Sequence, residues 1–119
     1  MSKNLNKDVF IWTEAYNCGE ILNPMLASFV SHNDYEINVF GTREDLECIN
    51  VESNLIRYHD LRDSKKTNSV EKSILNKYKF AHKGTAELWA YILCSRKEQY
   101  FLHLDSDTIF LADVVSELI

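Results

Sequence analysis

Four short apolar runs, each too brief for a helix, set the narrowest limit on the architecture of this chain. They are 8-DVFIWT-13, 36-EINVFGT-42, 54-NLIRYH-59 and 100-YFLHL-104. All are rich in β-branched and aromatic residues and lack a strict polar alternation, the pattern of strands buried on both faces. Helical spacing fills the intervals. In 23-NPMLASFVSHND-34, Asn23 is the expected N-cap and Pro24 the first helical residue, and Met25, Leu26, Phe29 and Val30 share one face. Thr42 and Asp45 resemble a capping box opening a short helix that holds Leu46 and Ile49. Val70, Ile74, Leu75 and Tyr78 are spaced for one helical face. The segment 84-GTAELWAYILCSRK-97 predicts a stronger helix through Leu88, Trp89, Ile92 and Leu93, with basic residues in its last turn. Finally 113-DVVSELI-119 reads as the first turns of a helix capped by Asp113, and 60-DLRDSKKTNS-69 as a surface loop. Strands alternating with helices predict an α/β fold: a mostly parallel sheet of about four strands flanked by helices, in one domain spanning 1–119.

Charge and composition narrow the partners. A net charge of −5 argues against nucleic acid, because affinity for a phosphate backbone comes from Lys and Arg. An apolar run long enough for a transmembrane segment is absent, and the polar start 1-MSKNLNKD-8 does not resemble a secretory signal. The expectation is a soluble, cytoplasmic domain, at most peripheral to a membrane. Cys18, Cys48 and Cys94 are odd in number and widely spaced, so reduced thiols are expected, with Cys94 in the core.

In open parallel sheets ligands bind at the carboxyl ends of the strands, which directs attention to 13-TEAYN-17, 41-GTRED-45, 59-HDLRD-63 and 105-DSD-107. Asp105 and Asp107 close a buried strand and, at i and i+2 of an extended segment, point the same way. Two readings stand. The pair can hold one hard cation, Mn²⁺ or Mg²⁺, that keeps positions for phosphate oxygens. Alternatively Asp105 ends the strand and Asp107 makes an Asx-type turn; a lone D-x-D is a short motif that chance supplies readily. A second constellation is 82-HKGT-85, where a helix start, Gly84 and Lys83 together form an anion site, against a turn glycine beside a solvated lysine. His103 shares the face of Asp105 on a regular strand; a histidine packed in the sheet is preferred to a third ligand. His59 and His82 fall at ligand-edge loops.

The pieces 8-DVFIWTEAYN-17, 36-EINVFGTRED-45, 82-HKGTAELWAYIL-93 and 100-YFLHLDSDTIFLADVVSEL-118 together resemble the nucleotide-sugar-binding half of GT-A-type glycosyltransferases, a Rossmann-like arrangement ending in the D-x-D strand. The resemblance implies a nucleoside-diphosphate sugar bound through Mn²⁺ or Mg²⁺ on Asp105 and Asp107, with Ser106 near the ribose or sugar. It also implies base and ribose contacts from Thr13, Glu14 and Tyr16, the last a candidate stacking surface against the plainer reading of a half-buried loop aromatic. Glu14 is otherwise expected to be solvated. Lys83 and Gly84 are implied to lie near the nucleotide. The acceptor, a glycan or a lipid-linked molecule, is not specified, and no catalytic base is assigned. The second strand ends in Gly41, Thr42 and Arg43 where many relatives carry an acidic residue, and the D-x-D lies a dozen residues from the last residue. The expectation is therefore an incomplete domain holding the donor-binding half.

Two rival functions are weighed. The stretch 105-DSDT-108 also looks like the first motif of haloacid-dehalogenase-type phosphatases, with Asp105 as nucleophile and Asp107 as general acid/base, although that motif normally opens its domain. A non-catalytic remnant or interaction module would instead self-associate through an open sheet edge beside the last strand.

Overall fold

A computed structural model describes residues 8–15, 20–60 and 81–118, with the side chains of 81–87 outside that description. Four strands, β1 (Val9–Glu14), β2 (Ile37–Gly41), β3 (Ile56–Asp60) and β4 (Tyr100–His103), form a sheet in the order β3-β2-β1-β4. Every pairing is parallel. The expected mostly parallel sheet is therefore wholly parallel. Its order matches the first four strands of a Rossmann-type sheet. The helices are α1 (Leu22–His32), α2 (Arg43–Leu46), α3 (Ala81–Ser95) and α4 (Val115–Leu118).

Parity along β1 sorts the core into two layers, because successive strand side chains face opposite sides. Ile11 and Ala15 join Ile37 and Val39 under the buried face of α1, formed by Leu22, Met25, Leu26 and Phe29. On the other side Phe10, Trp12 and Phe40 pack against Leu88 and Ile92 of α3. Burial on both faces explains why β1 and β2 read as continuous apolar runs, whereas the edge strands depart from the expectation: β3 is exposed at Arg57 and Tyr58, and β4 is only partly buried. At the end of β2, Gly41 serves close approach: a Cβ there would lie 3.2 Å from the Ala15 Cβ.

The element boundaries depart from the sequence expectations at the helix ends. α1 begins at Leu22, with Ile21 as N-cap and Asn23 already inside the helix. The amide of Asn23 instead ties down the loop before β3, donating to the Cys48 carbonyl (3.1 Å) and accepting from the Asn50 N–H (2.9 Å). α2 is a single turn that stops before Ile49, and Thr42 makes no side-chain cap bond to it. α3 starts before Gly84, at Ala81, and ends at Ser95, so Arg96 and Lys97 follow the helix instead of occupying its last turn. Cys94 is exposed, contrary to its expected place in the core, because the buried stripe of α3 runs through Leu88 and Ile92. The predicted helix through Val70 and Tyr78, most of the predicted loop 60–69, and Cys18 lie outside the described residues.

Candidate functional site

The strand order places a topological switch point beside β1. The chain steps outward from β1 through β2 to β3, then returns to lay β4 on the opposite side of β1. β1 leads into α1, and the segment that follows β4 packs on the same α1 face through Phe110 and Val115, so the site is marked by the reversal of strand order beside β1, where open α/β sheets bind ligands. Glu14 closes β1, and Asp105 follows two residues after His103 closes β4.

The D-x-D loop is pinned at both ends. Leu104 extends the β4 ladder by donating its N–H to the Trp12 carbonyl (3.0 Å), and its own carbonyl accepts the buried Thr13 hydroxyl at 2.7 Å. Beyond the loop, the Phe110 N–H donates to Ser28 Oγ at 2.9 Å while the Phe110 ring meets Phe29 edge-on, centroids 5.2 Å apart. Val115 N–H then donates to Asn33 Oδ1 (3.2 Å), and the Tyr35 and Ser116 hydroxyls lie 3.2 Å apart. α1 and the residues just after it, Asn33 and Tyr35, thus anchor the segment that follows the motif.

Between these anchors the Thr108 N–H closes a turn onto the Asp105 carbonyl (3.3 Å). Asp105 and Asp107 are both exposed, and Ser106 is half-buried. Neither carboxylate is bonded to a described residue, so the turn is made by backbone and the Asx bond of the alternative reading is not formed; β4 ends at His103, so the pair sits in a turn and not, as expected, at i and i+2 of an extended strand. Among the described residues no group of three His, Cys, Asp or Glu could hold a metal. This donor set of two hard oxygen ligands suits Mg²⁺ or Mn²⁺ completed by phosphate and water, and does not suit an all-protein Ca²⁺ or Zn²⁺ cage.

The neighbouring carboxylate has a different role. Glu14, expected from sequence to be solvated, is instead the centre of a polar and aromatic cluster. Its Oε2 accepts the indole N–H of Trp12 (2.8 Å) and of Trp89 (2.9 Å), and its Oε1 accepts Nε2–H of His103 at 2.8 Å. A carboxylate only accepts, so the bond places a proton on Nε2 of His103. The side chains of Glu14 and His103 are 11% and 21% exposed. The imidazole lies 4.6 Å from the Trp89 ring and 5.3 Å from the Trp12 ring, and the two indoles meet edge-on at 6.3 Å. His103 is thus packed in the sheet, the preferred reading, and ties β4 to the end of β1 through Glu14.

The remaining expected site residues separate. Thr13 is buried, its hydroxyl spent on the Leu104 carbonyl, so it positions the D-x-D strand from below. Tyr16 lies outside the described residues. Lys83 and Gly84 belong to the first turn of α3, and the Lys83 side chain is not described. His59 belongs to β3, pairs with Asn38 Oδ1 at 2.8 Å and stacks on Phe40 at 4.4 Å, which spends it on packing. Trp89 was assigned only to a helix face by sequence. Its link to Glu14 spans 75 positions and depends on how α3 lies over the sheet.

Compared with family models, curated proteins and solved structures, the chain finds no match.

Proposed function

We propose that this domain binds the donor of a metal-dependent glycosyltransferase of the GT-A type, a nucleoside-diphosphate sugar that gives up its sugar to an acceptor hydroxyl. The single observation that carries the reading is the coincidence of an unengaged Asp105/Asp107 pair with the switch point of a parallel sheet. The acidic surface balance requires that a diphosphate be met by a cation or backbone N–H groups, and a D-x-D cation meets it directly. When bound, Mn²⁺ or Mg²⁺ supplies Lewis-acid stabilisation of the leaving diphosphate.

The chain's own residues perform the positioning. Asp105 and Asp107 would hold the ion, and Ser106 between them offers a hydroxyl to the ribose or sugar. Thr13 and Ser28 fix the two ends of the loop, so the carboxylates are presented without a large ordering cost on binding. Glu14 and His103 join the ends of β1 and β4 and, through Trp89, tie them to α3. Lys83 and Gly84, at the start of α3, stand as nucleotide contacts on the resemblance alone.

Isothermal calorimetry tests the reading. Mn²⁺ titrated into the chain with UDP or GDP present is expected to give a saturable heat, and both Asp105→Asn and Asp107→Asn are expected to weaken it at least tenfold. Equal heats in wild type and both variants would overturn it.

One observation favours a second reading, a module that self-associates. β4 is an edge strand among the described residues, and Tyr100 at its start and Leu93 on α3 are exposed. Gel filtration at rising concentration separates the two: a monomer throughout argues against the module, and a dimer dispersed by Tyr100→Lys supports it.

A further inference from the structure

We propose that the indole of Trp89 is a preorganised stacking platform for a ring of the bound donor, base or sugar; the inference rests on the donor-binding reading above and adds a contact surface to it. Trp89 is 38% exposed, whereas Trp12 beneath it is 4% exposed. Exposing so large an apolar ring costs hydration free energy, and an indole left to itself on a helix surface would sample several rotamers. Here it is held. Its N–H is spent on Glu14 Oε2, its edge contact with Trp12 and its approach to His103 fix the tilt, and Glu14 is itself anchored by the Trp12 N–H.

The position is specific. Glu14 ends β1 and His103 ends β4, so the two residues that hold the indole end the strands at which the order reverses, and His103 is two residues before Asp105. On the donor-binding reading, a diphosphate at the aspartates would carry its base or sugar ring past the carboxyl ends of β1 and β4, where Glu14 and His103 hold the indole. An indole recognises a flat π-face or an apolar sugar face without demanding hydrogen bonds, and fixing it beforehand removes the entropy of ordering it on binding.

The chain has two tryptophans, which makes fluorescence selective. In Trp12→Phe all indole emission comes from Trp89, and in Trp89→Phe all comes from Trp12. Metal-free titrations with uridine, guanosine and, separately, glucose are expected to quench Trp12→Phe saturably and to leave Trp89→Phe unchanged. Quenching by a nucleoside assigns the platform to the base, and quenching by glucose alone assigns it to the sugar. With Mn²⁺ present, UDP or GDP is expected to bind Trp89→Ala about tenfold more weakly than wild type, on the scale of base–aromatic stacking, with Trp89→Tyr largely restored. Thermal melts of each variant establish that it is folded. Unchanged nucleotide affinity in folded Trp89→Ala, or no quenching by any ring, overturns the platform while leaving the metal site standing. Metal-free quenching without any Mn²⁺-dependent heat overturns the donor reading instead.

Discussion

Phe29→Ala is expected to lower the unfolding free energy by about 3–5 kcal/mol, the range for deleting a buried aromatic ring. Phe29 is fully buried on α1, and its ring supports that of Phe110. The loss would be a large share of the roughly 5–15 kcal/mol that a domain of this size holds in reserve. A fall in melting temperature of roughly 10–20 °C should follow. The consequence reaches the site, because Phe110 is the far anchor of the D-x-D loop, beside the bond from its N–H to Ser28. At a temperature where the variant is still folded, Mn²⁺ binding with UDP should weaken although no aspartate has changed. Urea denaturation measures the first effect and calorimetry the second. A variant with wild-type stability would show that the loop does not depend on α1.

Glu14→Ala is expected to cost about 2–3 kcal/mol, chiefly through the indole N–H of Trp12, a buried donor that would lose its partner. The N–H of Trp89 is at the surface and can turn to water, so it adds little. The argument carries a specific control. In a Trp12→Phe background there is no indole N–H to strand, so the cost of Glu14→Ala should shrink by about 1 kcal/mol or more in a double-mutant cycle. Strict additivity of the two changes would show that the N–H to carboxylate bond contributes nothing. Glu14→Gln keeps one carbonyl acceptor and should fall between wild type and Glu14→Ala. The same variant also releases Trp89, so nucleoside quenching in the Trp12→Phe chain should decline when Glu14 is removed.

Much of this architecture was readable from local pattern. Strand runs such as 8-DVFIWT-13 are apolar at both parities because each face of the sheet is covered by a helix, and that is visible without coordinates. Helix termini were less legible. Asn23 and Pro24 carry start signals, but the helix begins two residues earlier, and Asn23 spends its amide on Cys48 and Asn50, which are distant in sequence. A capping preference of about 1 kcal/mol yields to a tertiary bond of similar size. Cys94 likewise follows the rotation of α3 about its axis, which the packing of Leu88 and Ile92 against Phe10 and Phe40 decides.

By itself the sequence determined the class of fold, the alternation of strand and helix, and the placement of Asp105 and Asp107 at a strand's carboxyl end, because each depends on residues within a few positions of one another. Tertiary structure alone decided that β4 lies beside β1, and so that Glu14, Trp89 and His103 meet. Glu14 and His103 are 89 positions apart. No local propensity encodes such a distance; the register Trp12 to His103 and the seat of α3 on the sheet create it, through burial of side chains that share a face only once the chain has closed.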